Sequence, residues 1–413
     1  MPSFSIPLSG LDASSTDLSV IANNLANLNT VGFKGQATQF QDLFYQQIGS
    51  SGDGNAIQEG VGTSVAGISA DLTQGSIQST GVPTDVAIQG AGYFIVQKAG
   101  ETLYTRAGNF SLGPTGQLLT QDGASVQGYP AVGGVVNANA TLGPLSIATG
   151  LTNPPKPTGN VQLSLNLDSG TPVGGAFSTA VSVNDALGAP HVLTYNFTKT
   201  SANNWTYSIT IPAADVGQVG APVVVNSGTL TFNGSGQLTA PAANVAGITI
   251  AGLADGANNL TFNWNIYDPN NGGLLTQVSG PSATAATQQD GYASGSLVDF
   301  TIGSDGTIQG VFSNGQTTPL GQIALGSFAN EQGLSRNGSN EFLSTLASGA
   351  ANVGAPATGG RGSLTGGSLE QSNVDIATQF ARLIVAQSSY QANAKSITTF
   401  NQVTQTAINL VQG

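Results

Sequence analysis

The 413-residue sequence contains no cysteine and very little charge. The missing cysteine excludes a disulfide framework, a thiolate metal site and a thiol nucleophile. Charged residues make up 7% of the chain, against about 25% in ordinary globular proteins, and the net charge is −12. Because nucleic-acid binding needs clustered lysine and arginine, we expect no nucleic-acid partner.

Long apolar runs are also missing. No segment has the ~18 consecutive apolar residues of a membrane-spanning helix, so we expect no membrane insertion. The first residues have neither a basic region nor a long apolar region, unlike a cleaved secretory signal. Two interpretations remain open at this point: a cytoplasmic protein, or a protein exported by a route that needs no cleaved signal.

Candidate catalytic residues are scarce. His191 is the single histidine, it precedes a predicted strand, and no acidic or hydroxyl partner stands at a recognisable spacing. We therefore expect it to have a packing or surface role. No phosphate loop or calcium loop is present, and the Asp-Gly pairs at 122–123, 290–291 and 305–306 are typical of turns. The sequence predicts no enzyme, no cofactor and no metal site.

The last forty residues are predicted to form one long helix. From Ser372 there is no proline and no glycine before Gly413. Ser372 is the expected cap, with Asp375 in the first turn. Apolar residues recur seven apart, which is typical of a coiled-coil seam. The seam comprises Ile376, Phe380, Leu383, Tyr390 and Ile397.

A second helix is predicted near the N-terminus. Residues 1–9 are expected to be an extended arm, and Ser9 with Asp12 resembles a capping box. The helix ends at residues 29–32, and the same spacing also fits an ordinary amphipathic helix on a globular core. Two terminal helices with apolar stripes and few charges favour self-association. The N-terminal stripe comprises Leu11, Leu18, Ile21, Leu25 and Leu28.

Between the helices the apolar pattern changes to that of strands. Residues 85–129 and 291–328 contain short strands separated by glycine-rich turns. A glycine- and proline-rich crossing at 143–157 precedes a separate β domain at 158–284. Its strands alternate apolar and polar residues, as in a sandwich or barrel, and residues 268–273 form a predicted turn. The predicted fold is mainly β with α-helical termini.

Five stretches of the sequence resemble a known family. IANNLANLNTVGFK at 21–34 and the C-terminal run containing YQANAK at 390–395 are similar to the terminal signatures of bacterial flagellar axial proteins. DVAIQGAGYFIV at 85–96 and YTRAGNFSLGPTGQLLTQDG at 104–123 strengthen the match. Residues 290–334 resemble the hook branch of this rod and hook family.

The resemblance implies a fold and a function. The terminal segments 1–70 and 361–413 would pair into a coiled-coil core. Residues 71–149 with 286–360 would form a discontinuous inner β domain, and residues 150–285 an outer β domain inserted into it. Copies of the chain would assemble into the flagellar hook, a curved extracellular tube that transmits torque from the motor to the filament.

Partners also follow from the resemblance. They are other copies of the chain, rod proteins, hook cap and hook–filament junction proteins, and the flagellar export apparatus. Export would need an unfolded chain and no cleaved signal. Two alternatives remain: a distal rod protein, which is generally shorter, and a secreted β-rich adhesin or binding protein.

Overall fold

The computed structural model describes residues 4–53, 55–148, 150–268 and 272–412. Parts of two predicted features, residues 1–3 of the arm and residues 269–271 of the turn, lie outside the described residues, as does Gly413. Two α-helices stand at the ends of the described chain, and strands fill the sequence between them. The predicted class, mainly β with α-helical termini, is therefore confirmed.

The elements are numbered in chain order. The helices are α1 (Ser5–Ala26) and α2 (Ile376–Gln412), with 3-10 turns at Ala213–Val216 and Glu331–Gly333. The first strands are β1 (Gln36–Asp42), β2 (Tyr45–Ser50), β3 (Ala56–Gly60), β4 (Thr63–Ala70), β5 (Ile77–Ser79), β6 (Val86–Gln89), β7 (Tyr93–Lys98), β8 (Glu101–Thr105), β9 (Ser111–Leu112), β10 (Leu118–Leu119), β11 (Ser125–Pro130), β12 (Gly143–Pro144) and β13 (Thr152–Asn153). The middle strands are β14 (Asn160–Asn166), β15 (Ala176–Asn184), β16 (Pro190–Ser201), β17 (Asn204–Ile211), β18 (Val223–Phe232), β19 (Leu238–Ala240), β20 (Val245–Ile250), β21 (Leu260–Asn265), β22 (Tyr267–Asp268), β23 (Gly272–Gly273), β24 (Leu275–Thr276) and β25 (Ala283–Gln289). The last strands are β26 (Gly295–Ile302), β27 (Thr307–Phe312), β28 (Thr317–Ile323), β29 (Leu325–Ser327), β30 (Ser335–Gly338), β31 (Glu341–Leu343), β32 (Asn352–Gly354), β33 (Ser363–Gly366) and β34 (Ser368–Glu370).

The chain divides into two compact units, which we describe separately. The first unit comprises Met1–Thr149, Asp299–Gly310 and Thr317–Gly413. The second unit comprises Gly150–Val298 and Val311–Gln316.

Both helices belong to the first unit, and both begin at positions that differ from the prediction. Helix α1 begins at Ser5, so residues 5–9 are helical and the predicted extended arm is wrong there. Ser9 does not cap the helix, because its hydroxyl donates to the Ile6 carbonyl and accepts from the Thr63 backbone N–H. Helix α2 begins at Ile376, and Asp375 provides the cap by accepting from the Thr378 N–H at 2.7 Å.

The β part of the first unit is built on antiparallel pairs. Strands β28, β11, β7, β8, β31 and β30 lie side by side in that order. Aromatic side chains fill the space against this sheet, with Tyr93 in edge contact with Phe328 and Phe342. Two further pairs, β6 with β33 and β5 with β34, join the early part of the chain to the segment that precedes α2.

The second unit contains two five-stranded sheets. One is the antiparallel meander β15–β16–β17–β18–β19, and the other contains β20, β21, β14 and β24, with β25 on β14. The strict alternation of buried and half-buried residues in β14 and β17 turns one face of each strand inward. Trp264 is fully buried and its ring lies against Tyr195, Phe197 and Tyr207. The inner faces of the two sheets thus share one apolar core.

Candidate assembly surface

The terminal helices of the first unit pack side by side in opposite directions. Phe4 at the start of α1 contacts the Phe400 ring edge-on at 6.0 Å between centroids. At the other end of α1, the Asn24 amide donates to Gln379 Oε1 at 3.3 Å. The order of these contacts makes the pair antiparallel.

Small side chains let the two helices approach closely. A methyl group placed on Gly10 would lie 2.7 Å from the side-chain nitrogen of Asn393. Ala13 of α1 and Ala386 of α2 are both buried. Close approach of this kind increases van der Waals contact along the pair, and it leaves little room for larger side chains.

The residues predicted to form the N-terminal stripe lie on the packed side of α1. Ile21 is 2% exposed. Leu11, Leu18, Leu25 and Leu28 are half-buried, and Leu28 stands just beyond the end of the helix. Part of this face packs on strands β1 and β4 as well as on α2. The stripe therefore stabilises the chain's own fold, and a role in assembly stays a prediction.

The predicted residues of α2 differ in burial. Leu383 and Ile397 are half-buried on the side of α1, together with the buried Gln379 and Ala386. Ile376 and Phe380 are each 52% exposed, and Tyr390 is 37% exposed. Ile376 and Tyr390 share the heptad stripe of Leu383, so seven-residue spacing identified the packed stripe but not which of its positions α1 covers.

An apolar surface on α2 is left uncovered by its own chain. Phe380 is joined on this surface by the exposed Ile384 and Val385. Beyond Phe400 the helix continues past the level of Phe4, and Val403, Ile408 and Leu410 are exposed. We call this set of residues the outer face of α2. Exposed apolar surface of this extent typically marks a protein–protein contact.

A dense set of hydrogen bonds fixes the base of the helix pair. The Asn24 amide donates to the Gln36 carbonyl at 2.7 Å, and its oxygen accepts from the Gln36 N–H at 2.9 Å. The Asn373 side chain accepts from the Gly35 N–H and donates to the Asp71 carbonyl, both at 2.8 Å. These bonds tie α1 and the start of α2 to the strands that follow them.

A buried cluster of charges lies at the same base. Lys34 Nζ is 2.6 Å from Glu370 Oε1, and Arg106 Nη1 is 3.4 Å from Glu370 Oε2. Glu370 is fully buried, and it also accepts from the Gly75 N–H at 2.9 Å. Burial lowers the pKa of Lys34, while the hydrogen bond with Glu370 opposes that shift. We call Lys34, Arg106 and Glu370 the charge cluster.

Sequence reasoning missed the charge cluster. Lys34 ends the N-terminal signature, Arg106 lies in the 104–123 stretch, and Glu370 precedes the C-terminal helix. The chain has only nine lysines and arginines, and two of them lie inside signature stretches. Their rarity was the signal that could have marked them as functional. The partner could not be read from the sequence, because Lys34 and Glu370 are 336 residues apart.

His191, in the second unit, corrects a prediction. It is buried in β16, and its Nδ1 lies 3.1 Å from Asp215 Oδ2 and its Nε2 3.2 Å from Asp185 Oδ2. Burial opposes protonation of the ring, but the hydrogen bonds to Asp185 and Asp215 outweigh it and raise the pKa of His191. The prediction that His191 precedes a strand is wrong, since it lies within β16, and its two acidic partners were not recognisable from the sequence spacing. Asp215 and His191 meet only because the chain folds back between them.

Neither described helix contains an apolar stretch that would let it cross a membrane.

Models of known families match the chain along most of its length. The model "Flagella basal body rod protein" matches residues 6–34, and "Flagellar basal body rod FlgEFG protein C-terminal" matches 365–410. Between them, "Flagellar hook protein FlgE/F/G D1 domain" matches 87–168, and "Flagellar basal body protein FlaE D2 domain" matches 133–292. These matches place the chain among the structural proteins of the flagellar basal body and hook.

Curated relatives narrow this class. The flagellar hook protein FlgE of Salmonella typhimurium is 37% identical over 99% of this chain and 100% of its own length. The FlgE proteins of Escherichia coli K12 and Treponema pallidum are 36% and 34% identical, and each match covers 98% of this chain. The chain therefore belongs to the flagellar hook protein FlgE family, and its role in the hook is structural. This finding favours the hook interpretation over the distal rod and adhesin alternatives.

A solved structure has a similar fold. The crystal structure of Helicobacter pylori flagellar hook protein FlgE2 matches with a TM-score of 0.52 over 71% of this chain and 100% of that chain. The two sequences are 16% identical in this comparison, so the similarity concerns the fold alone.

Proposed function

We propose that copies of this chain polymerise into the flagellar hook, a curved and flexible tube that joins the motor and rod to the filament. The tube bends while it transmits torque, as a universal joint does. The observation that carries this proposal is the similarity to hook proteins over 98–99% of the chain, which includes both terminal helices and the segments between them.

In the proposed polymer the helix pair of residues 1–70 and 361–413 forms the inner coiled coil. Residues 71–149 with 286–360 form the inner β domain, and residues 150–285 form the inserted outer β domain. The outer face of α2 supports this arrangement, because its apolar side chains need a cover that the single chain does not provide. Neighbouring copies supply that cover.

Other partners follow from this place in the flagellum. The tube contacts rod proteins at its base, and cap and junction proteins at its far end. The chain reaches the outside of the cell through the flagellar export apparatus, unfolded and without a cleaved signal. A chain free of cysteine forms no disulfide that would have to be broken before such passage.

Electron microscopy of the purified full-length chain tests the proposed polymer. Curved hollow tubes are the expected result. Straight tubes would instead support a distal rod protein, and a chain that forms no polymer but binds glycans through residues 150–298 would support an adhesin.

A pair of variants tests the outer face of α2. Phe380→Asp places a charge on an exposed apolar position, so we expect a folded chain whose polymers are lost or strongly reduced. Phe380→Leu keeps an apolar side chain at the same exposed position, adds no charge, and is expected to polymerise normally. Circular dichroism verifies folding, and sedimentation with electron microscopy measures assembly. Normal tubes from Phe380→Asp would show that this face is not a contact.

A further inference from the structure

The strongest unassigned site lies around His191 in the second unit. Three loops converge on its ring: Asp185 follows β15, Asp215 stands in the 3-10 turn Ala213–Val216, and Asp255 stands between β20 and β21. Asp185 Oδ2 and Asp255 Oδ2 lie 3.2 and 3.9 Å from Nε2, while Asp215 Oδ2 lies 3.1 Å from Nδ1 on the opposite side of the ring. Asp185 is fully buried and His191 is 6% exposed.

The backbone holds two of these carboxylates in fixed orientations. Asp185 Oδ1 accepts from the N–H groups of Leu187 and Ala189 at 2.9 and 2.8 Å. Asp255 Oδ1 accepts from the Ala257 N–H at 3.0 Å. In each case the first oxygen is occupied within its own loop, and the second oxygen is left facing Nε2.

The charges in this cluster do not balance. Three carboxylates surround one imidazole, and the two lysines of the second unit lie elsewhere: Lys156 pairs with Asp290, and Lys199 donates to the Ser169 carbonyl. When Nδ1–H donates to Asp215, the Nε2 lone pair faces two carboxylate oxygens. A positive charge between Nε2 and those oxygens would stabilise this arrangement, because Asp185 is fully buried and Asp255 beside it is partly shielded from water.

We propose that His191 Nε2, Asp185 Oδ2 and Asp255 Oδ2 bind a first-row divalent metal ion such as Zn²⁺, with water as the fourth ligand. Tetrahedral zinc bound at ~2.0–2.2 Å places its ligand atoms about 3.4 Å apart. The three atoms here lie within 4.8 Å of one another, and two of the separations are 3.2 and 3.9 Å. Asp255 lies in an exposed loop, and a small movement of its side chain would bring the 3.9 Å separation from Nε2 to about 3.4 Å.

Asp215 has a positioning role in this arrangement. A metal-bound histidine usually donates its other ring N–H to a carboxylate, which fixes the tautomer and the ring orientation. Asp215 stands at that position, and its backbone carbonyl accepts from the Ala254 N–H at 2.9 Å, which joins its loop to the loop of Asp255. The site favours zinc-like ions over Ca²⁺, because it offers one imidazole and few oxygens where Ca²⁺ takes six to eight.

Metal binding to the full-length chain tests the inference. After treatment with a chelator, equilibrium dialysis against Zn²⁺ is expected to give one tightly bound ion per chain. Asp255→Asn keeps the oxygen that accepts from Ala257 but loses the ligand charge, so the affinity for Zn²⁺ should fall at least tenfold. His191→Gln should lower the affinity for Zn²⁺ to the same extent. Co²⁺ bound to the wild-type chain should give the visible spectrum of a tetrahedral site, and Asp255→Asn should abolish that spectrum.

Asp168→Asn is the matched control, because Asp168 also accepts from a backbone N–H of its own turn but lies outside the site. It should bind Zn²⁺ like the wild type. Equal binding by wild type and Asp255→Asn would mean that the ion sits on other groups, and it would overturn the inference. A wild-type chain that binds no Zn²⁺ would overturn it as well, since a proton on Nε2 would then be the cation that balances the cluster.

Discussion

At the scale of single residues, Glu370 holds together three parts of the chain that lie far apart in sequence. Its carboxylate contacts both Lys34 and Arg106, and all three side chains are almost completely shielded from water. A buried pair of this kind contributes little net stability compared with an apolar substitute, but removing one partner leaves an uncompensated charge. The charge cluster therefore acts mainly by fixing which segments meet at the base of the helices.

Glu370→Gln tests this role. Gln keeps the shape and one acceptor but removes the negative charge, which leaves Lys34 and Arg106 buried without a counter-ion. We expect the free energy of unfolding to fall by ~3–5 kcal/mol, measured by urea denaturation of the monomeric chain. Lys98→Gln breaks the exposed pair of Lys98 with Asp122 and should cost far less than Glu370→Gln, because solvent screens an exposed ion pair. A loss for Glu370→Gln no larger than that of this control would contradict the role.

Glu341 gives a prediction about pH. Burial raises the pKa of its carboxyl group, and the nearby Asp122 adds to the shift. Because the folded-state pKa lies above the unfolded value, the folded chain binds more protons between the two values. The contribution of Glu341 to stability is therefore complete below the unfolded pKa and is lost as the pH rises through the folded pKa.

The variant Glu341→Gln stays neutral at every pH. We expect it to be more stable than the wild type at pH 7 and nearly equal to it at pH 4, where Glu341 is largely protonated in both states. Urea midpoints at pH 4, 5.5 and 7 measure the difference. A gain that is the same at all three pH values would show that the charge is not its cause.

At the scale of elements, the helix pair combines features that the sequence predicted with features that it could not. Helix α2 was predictable because forty residues without a breaker have few alternatives. Its cap was misplaced by three positions, since either Ser372 or Asp375 could supply the capping oxygen and the structure uses Asp375. The packed face was only partly predictable, because heptad spacing marks an apolar stripe but does not reveal which of its positions α1 covers.

Gly10 tests the close contact in the helix pair. Leu at this position would push against Asn393, so Gly10→Leu should separate the helices and speed amide hydrogen exchange in α2 around Asn393. Ala22→Leu places the same side chain on an exposed position of α1 and should leave exchange in α2 unchanged. Exchange is measured by mass spectrometry on the monomeric chain. Equal protection of α2 in both variants would show that the helices tolerate a wider separation.

Strand pairing shows the same limit of sequence reasoning. Alternating residues located β14, β16, β17 and β21 well, because each of these strands has one buried face. The glycine-rich segment after β6 suggested a local hairpin, but β6 pairs with β33, more than 270 residues later. Local sequence patterns show where a strand alternates and where a turn is favoured. Which distant strand it pairs with depends on the whole fold.

At the scale of the whole molecule, the second unit has its own apolar core, and the chain enters and leaves it at neighbouring points. Asn153 pairs with Gly295 where β13 and β26 run antiparallel, so the chain enters and leaves this part of the unit at adjacent positions. Residues 154–294 can therefore be replaced by a two-residue Asn-Gly hairpin turn without stretching the backbone.

We expect this deletion to preserve polymerisation, because the terminal helices and the outer face of α2 remain. Curvature or bending of the tubes should change, since the removed residues include nearly all of the proposed outer domain. Electron microscopy of tubes from the deleted and full-length chains, prepared in parallel, measures both properties. If the deleted chain folds by circular dichroism but forms no polymer at all, the outer domain is itself required for assembly.

The antiparallel helix pair can form only late, because its two helices come from opposite ends of the chain. Asn24 and Gln379 are separated by 355 residues, and Lys34 and Glu370 by 336. A ribosome releases the N-terminal partner of each contact early and the C-terminal partner only when translation is almost complete. Until the last forty residues emerge, α1 has no helix to pack against, so the helix pair is still incomplete when the chain meets the proposed export apparatus. The part of the molecule proposed to join one copy to the next is thus completed last, which delays polymerisation until the chain is finished.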